Sequence, residues 1–538
     1  MSAKTASKSS NAISVANYVQ FKLVNDSNVS TLNDPYISLF AKVNGVYGNF
    51  YVDQAGIATF NNSSKGQGVF KLSYLKNAAN VIYIDANLDA SSGRIYFSTD
   101  SAMVTSGTEP DVATADFYFD WVEFAVVGSS KKLVANTTQV DQFGFPIQLK
   151  ISPPDANFGA IAGSVSSGVS RNSIIQKFSN SLSSEYKDCL YPVSGSTTEY
   201  YRIMSPNQAI VKKPASKLTQ KFNQVIDDFF THYSSHELYL NSDSAYPYVG
   251  KVTTVSAKDK SGASHKYPVL QFKFADQAPI NPGIPVTPPS GTGPYNIYYP
   301  FFKTNNTPST HTSYDGKPLL PPPAWWYDTI SGKGTLTPTE SPSQMVFAGN
   351  GIFADTFWQL GQTGVTSQTD LLGNLENQIN VALNRGHAQT WFTLVGSIAA
   401  GKKDPTTGHY KTTLTLSSTT YQQQDKPNTT INVTKGMQVI SYAAAIPLTV
   451  SKVIDSTTLE LTSPVPILAY NSLYVTFANF YPSGDTWNEY GQFFHQDTIS
   501  IGGRAYALSF DDQGGFSSTL TSLWSNAPST LEITLVYW

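Results

Sequence analysis

The chain has 538 residues and a net charge of −3; only 14% of its residues are charged, while 13% are aromatic. That balance excludes a nucleic-acid partner, because counterion release needs a clustered basic surface and the pairs Lys131-Lys132, Lys212-Lys213 and Lys402-Lys403 stand isolated. The single cysteine, Cys189, excludes an intrachain disulfide and a cysteine-based zinc site.

Residues 1–13 are polar, lack the apolar core of a signal peptide, and are expected as a disordered tail. No run of about eighteen apolar residues occurs, so no spanning helix and no membrane partner are expected. From residue 14 to 165 the pattern is short alternating runs split by Asn, Asp, Gly and Ser: Val19 to Val24, Tyr36 to Val43, Val81 to Asp85, Gly93 to Ser98, Val134 to Val140 and Pro146 to Ile151. Strands at this spacing predict a sandwich or barrel.

Helical periodicity follows. Arg171 to Ser181 carries Ile174, Ile175 and Phe178; Ser216 to Tyr233 carries Leu218, Phe222, Val225, Phe229 and Phe230, with Ser216 as cap. Asp370 to Gly386 is a third helix, with Asp370 as N-cap and Gly386 as the stop. His232 and His236 have a spacing that suits a metal, but no third ligand is evident, and a surface helix end is the better reading. Two Pro-rich stretches intervene, Ala278 to Pro289 and Pro318 to Tyr327; in the second, Trp325, Trp326 and Tyr327 form either a sugar platform or a packed loop anchor. Residues 411–479 read as a small inserted β-module of short strands. Arg504 to Asp512 and Leu531 to Tyr537 read as strands again. Strand-rich ends around a helical middle predict one β-domain whose two ends pair and which carries a long insertion. The predicted division is therefore a β-domain of 14–165 and 480–538, a mixed α/β domain of 166–410 with a Pro-rich insertion at 277–340, and the module at 411–479. The fold class is mainly β with an α/β part.

The chemistry concentrates in Asp116-Phe-Tyr-Phe-Asp-Trp-Val-Glu-Phe-Ala125. Alternation places Phe117, Phe119, Trp121, Glu123 and Ala125 on one face, and Tyr118, Asp120, Val122 and Phe124 on the other. Glu123 is then the only charge on an apolar face, where desolvation favours the protonated form that a proton donor needs. The alternative, commoner for a lone carboxylate in an apolar strand, is that it is salt-bridged or at a solvated strand end. A second carboxylate, Asp141, follows in Ala135-Asn-Thr-Thr-Gln-Val-Asp-Gln-Phe-Gly144. Two carboxyls in different surroundings are the minimum equipment for glycoside hydrolysis. A simple hairpin would set Asp141 opposite Tyr118, roughly 17 Å along the strand from Glu123, so the pair requires a bend or bulge, which Gly144 permits. Asp120, on the opposite face, reads as structural.

Six segments, in order, resemble glycoside hydrolase family 64, the β-1,3-glucanases with a thaumatin-like barrel. They are Ser92-Gly-Arg-Ile-Tyr-Phe-Ser98, Phe119-Asp-Trp-Val-Glu-Phe124, Ala135-Asn-Thr-Thr-Gln-Val-Asp141, Arg202-Ile-Met-Ser-Pro-Asn207, the helix end Ala382-Leu-Asn-Arg-Gly386, and Gly503 to Asp512. The resemblance implies a thaumatin-like β-barrel with an inserted α/β domain, the two flanking a wide groove for the polymer. It implies inverting, endo-type or oligosaccharide-releasing cleavage of β-1,3-glucan, with Glu123 as general acid and Asp141 as general base. Trp121, Tyr118 and Asp512 join Trp325, Trp326 and Tyr327 as candidate substrate contacts, although for Asp511 and Asp512 the cap of a turn is the favoured reading. No metal and no cofactor are expected, and an extracellular or cell-surface location is implied. The rival is a non-catalytic β-glucan-binding or structural protein that keeps the fold.

Overall fold

The computed structural model describes residues 15–101, 109–155, 159–165, 169–241, 247–258, 264–274, 295–298, 342–349, 369–389, 391–417, 420–423, 426–430, 433–441, 447–511, 518–525 and 527–538. The alternating runs build two sheets. One is eight-stranded; its path is Leu520–Leu523, Lys132–Thr137, Phe119–Val127, Asp89–Ser98, Tyr36–Val43, Val46–Val52 and Ala58–Phe60, with Val69–Lys71 added beside Tyr36–Val43. The other is five-stranded, in the order Gly159–Gly163, Ile147–Asp155, Thr530–Leu535, Tyr18–Asn25 and Val81–Asp85. Tyr18–Asn25 lies parallel to Thr530–Leu535, with Phe21 opposite Leu531 and Leu23 opposite Ile533. The sheets share an apolar core of inward residues, among them Phe21, Leu39, Ile95, Val122, Phe124, Leu149 and Ile533. Phe21 and Phe124 meet edge to face at 4.9 Å.

The outer face of the eight-stranded sheet is also buried. Phe40, Tyr96, Phe119 and Trp121 join a second core with the helices Arg171–Ser181, Pro206–Lys212, Asn223–Ser235, Thr369–Asn384 and Glu489–Phe494. A four-stranded sheet (Leu238–Asn241, Pro247–Lys258, Ser264–Phe274, Tyr295–Tyr298) completes this layer. The architecture is mainly β with an α/β part, as the alternating and helical runs predict. A seven-stranded sheet has its own core around Leu414, Val450, Leu461 and Val475. It starts at Phe392–Ile398, ahead of residue 411, because that strand pairs with both Tyr470–Ala478 and Tyr410–Leu416. Among the described residues, no helix is long and apolar enough to cross a membrane.

Local differences from the sequence reading have local causes. Ser216 does cap, its hydroxyl accepting from Leu218 N, but what it starts is the short 3-10 turn Lys217–Gln220; the α-helix proper is Asn223–Ser235. The third helix runs Thr369–Asn384, so Asp370 lies in its first turn rather than before it. Gly386 ends that helix at φ 73°, with His387 N donating to Ala382 O and Gly386 N to Leu383 O. Arg504 to Asp512 is not a strand. Tyr506 makes a single parallel bridge to Thr138, and the Asp511 carboxylate then draws Ala507 N and Leu508 N into a turn at 2.7 Å each. Residues 1–13, Trp325, Trp326, Tyr327 and Asp512 lie outside the described residues.

One crossing positions the site. The hairpin ladder ends at Val122 opposite Thr137. Beyond it Gln139 N donates to Tyr506 O, and Gln142–Phe143 pairs with Tyr200–Met204 in the helical layer. The buried Asp120 carboxylate anchors this departure: Oδ2 accepts from Gly144 N at 2.7 Å and Phe145 N at 3.2 Å, and Oδ1 from Trp121 N at 2.8 Å. Gly144 is required because a Cβ there would strike the Phe119 carbonyl. Burial pushes the Asp120 carboxyl up to about 7, against the pull of the Gly144, Trp121 and Phe145 amides and of Arg202.

The shared core predicts that Phe21→Ala destabilises the protein by about 3–5 kcal/mol, read from the midpoint of urea unfolding. Asp120 predicts a pH effect. Its folded value lies above that of the unfolded chain, so the folded state holds the extra proton between about pH 4 and 7. The stability this proton contributes is present at the acid end and lost as the pH rises towards 7. In Asp120→Asn the melting temperature should lose that part of its decline over this range; an unchanged slope would contradict the assignment.

Candidate active site

A β-bulge sets the composition of the site. On the strand Asp89–Ser98, Ala90 faces Val126 but Gly93 faces Phe124, so Ser91 and Ser92 together oppose one residue. Ser92 takes the left-handed conformation at φ 48°. One extra residue exchanges the faces of everything after it. Ala90 points into the inter-sheet core, and so do Ile95 and Phe97, while Arg94 and Tyr96 turn outward beside Glu123 and Trp121.

The expected apolar surroundings of Glu123 are therefore corrected. Phe119 and Trp121 do lie on its face, but its cross-strand neighbours are Arg94 and Asn136. Arg94 Nε and Nη2 each lie 3.2 Å from Glu123 Oε1. Among the described residues, nothing donates to Oε2. The Glu123 side chain is 30% exposed. Arg94 Nη1 also reaches Glu109 Oε2 at 2.5 Å and the Tyr96 hydroxyl at 3.4 Å. Burial opposes the charge on Arg94, but Tyr96, Glu123 and Glu109 outweigh it and raise the guanidinium above its usual range. Burial likewise raises the Tyr96 phenol, which feels Arg94 on one side and Glu109 and Asp141 on the other.

Asp141 reaches this group from the crossing. Its carbonyl accepts from Ser205 N at 2.8 Å, and its Oδ1 from Gln208 Nε2 at 3.3 Å. Ser205 caps the helix Pro206–Lys212, so the helix start fixes the Asp141 backbone. Tyr96 and Tyr490, both packed in the outer core, feel the Asp141 charge. A cavity of about 420 Å³ opens over Glu123, Arg94, Glu109, Asn136, Tyr47 and Phe40; Asp141 is not part of its wall.

Two buried arginines hold the approaches. Arg202 donates to the carbonyls of Val112, Ala115 and Phe117, which lead into the Glu123 strand, at 2.6–2.8 Å. Arg171 donates to Gly144, Tyr200 and Tyr201 carbonyls at 2.5–2.7 Å. Burial lowers each guanidinium to about 10. Both use backbone carbonyls in place of a carboxylate partner, which fixes loop geometry through charge-assisted bonds.

Of the remaining candidates, Trp121 is buried beneath Arg94, whose guanidinium lies 5.3 Å from its ring, and is no open stacking platform. Tyr118 faces away from the cavity and packs on Tyr201, Trp538 and Arg171. His232 and His236 stack on each other at a helix end, and among the described residues no cluster of His, Cys, Asp and Glu suits a metal. Arg94, Tyr96, Glu109 and Asn136 were not anticipated as site residues. The Ser-Ser-Gly run ahead of Arg94 was the available signal for the first two.

The model of the Glyco_hydro_64 family, described as β-1,3-glucanase, matches residues 17–269. No curated protein matches the chain. Among solved structures, the chain resembles a β-1,3-glucanase domain from Clostridium beijerinckii at 17% identity, covering 97% of this chain and 98% of that one with a TM-score of 0.51. A laminaripentaose-producing β-1,3-glucanase in complex with laminaritetraose aligns at 13% identity over 97% and 99%, TM-score 0.49. A laminaripentaose-producing enzyme from Paenibacillus barengoltzii aligns at 16% identity over 97% and 75%, TM-score 0.42. The first of these likenesses extends to the fold alone. The residues matched by the Glyco_hydro_64 model include Arg94, Glu109, Glu123 and Asp141.

Proposed function

We propose that the protein hydrolyses β-1,3-glucan with inversion, as an endo-type or oligosaccharide-releasing enzyme. Glu123 gives its proton to the glycosidic oxygen as the bond to the anomeric carbon breaks. Asp141 takes a proton from the water that attacks that carbon from the opposite side. Such a pair works at a separation of about 6.5–9.5 Å, which leaves room for the water. The observation that supports the reading is Glu123 in the cavity wall beside Arg94, with the chain crossing that takes Asp141 off the hairpin to the helix start at Ser205. Oε2 of Glu123, to which none of the described residues donates, and the cavity above it support access of a polymer to this carboxyl. Two sheets closed on one core support a thaumatin-like barrel. A polymer that cannot enter a cell is met outside it, which supports an extracellular or cell-surface site of action.

One observation favours the rival reading, a glucan-binding protein without turnover: Glu123 is engaged by Arg94 at 3.2 Å in an ion pair. The two readings separate on laminarin. Glu123→Gln and Asp141→Asn should each lower the release of reducing ends by at least about a hundredfold while the melting temperature holds. Wild-type protein that binds the glucan and releases no sugar would establish the rival.

A further inference from the structure

Besides Glu123, the cavity wall carries a second carboxylate, Glu109, that the proposed mechanism leaves without a task. Glu109 lies fifteen residues along the chain from Arg94, its side chain 47% exposed, and its Oε2 is 2.5 Å from Arg94 Nη1. Glu123 Oε1 shares the same guanidinium at 3.2 Å. Resting on the reading above, we propose that Glu109 is a positioning residue: it divides Arg94 between two carboxylates and so keeps Glu123 able to hold the proton it must donate.

The argument is one of charge balance. With Glu109 ionised and Arg94 charged, a protonated Glu123 leaves the trio neutral, and an ionised Glu123 leaves it at −1. Remove the Glu109 charge and the preference reverses: the neutral trio then requires Glu123 ionised. Geometry acts in the same direction, because Arg94 freed from its shorter contact can close fully on Glu123. The other groups around Glu123 do not substitute. Tyr96 is a phenol bonded to the same guanidinium, Asn136 across the strand pair is neutral, and Lys42 on the strand Tyr36–Val43 is held over the Tyr47 ring. Asp141 is not part of the cavity wall. An ion pair with Arg94, which otherwise opposes a proton donor, is thereby made compatible with one.

The test needs no turnover. Protein carrying 13C-carboxyl glutamate is titrated by NMR, with the Glu123 resonance assigned by its loss in Glu123→Gln. In Glu109→Gln the Glu123 midpoint should fall by about half a pH unit, with the melting temperature unchanged because Glu109 is half-exposed. The alkaline limb of the kcat profile on laminarin should move to lower pH by the same amount, with KM changing less than twofold. A Glu123 midpoint that stays or rises overturns the proposal, whatever the activity. A wild type that hydrolyses no glucan, with the midpoint falling as expected, would instead sink the enzymatic reading and leave this one standing.

Discussion

The buried carboxylate of Asp120 is the contact on which the site depends. It gathers the amides of Trp121, Gly144 and Phe145 and so binds the Glu123 strand to a segment some twenty residues later. Were the hairpin to continue beyond Thr137 in its observed register, Asp141 would run off along the sheet towards Tyr118. Instead the chain leaves the sheet, pairs with Tyr200–Met204, and delivers Asp141 to the helix start at Ser205. Arg171 on the Gly144 carbonyl and Arg202 on the carbonyls of 112–117 hold the two sides of the same crossing. Desolvating three ionisable groups is costly, and each is compensated by backbone hydrogen bonds.

The layers explain where the cavity lies. One sheet is apolar on both faces, its inner face sealed against the five-stranded sheet and its outer face half covered by helices. Phe119 and Trp121 lie under that cover; Glu123, two residues on, is the first outward residue that solvent reaches. The catalytic candidate is therefore placed at the edge of a packed layer, where its surroundings pass from apolar to open within one strand.

The long alternating strand, its two faces, the pairing of both chain ends and the three longest of the described helices were legible in the sequence, because periodicity and burial report the same thing. What was not legible depended on register. The Ser91-Ser92 bulge carries Arg94 to the Glu123 side, and a strand pattern read without it gives Glu123 a purely apolar wall. Arg504 to Asp512 looks like a strand because its residues alternate, yet Asp511 claims the backbone for a turn and takes Arg385 and His495 as buried partners. Trp121 and Tyr118 show the limit of aromatic content as a signal for sugar contacts: both are packed against protein.

The central claim is that Glu123 and Asp141 act across a single water. The most direct measurement is 1H NMR of the anomeric protons during the first minutes of laminarin cleavage, before mutarotation. The account predicts that the α-anomer of the new reducing end appears first and the β-anomer grows in later. A β-anomer that appears first would mean that the configuration is retained, and would contradict it.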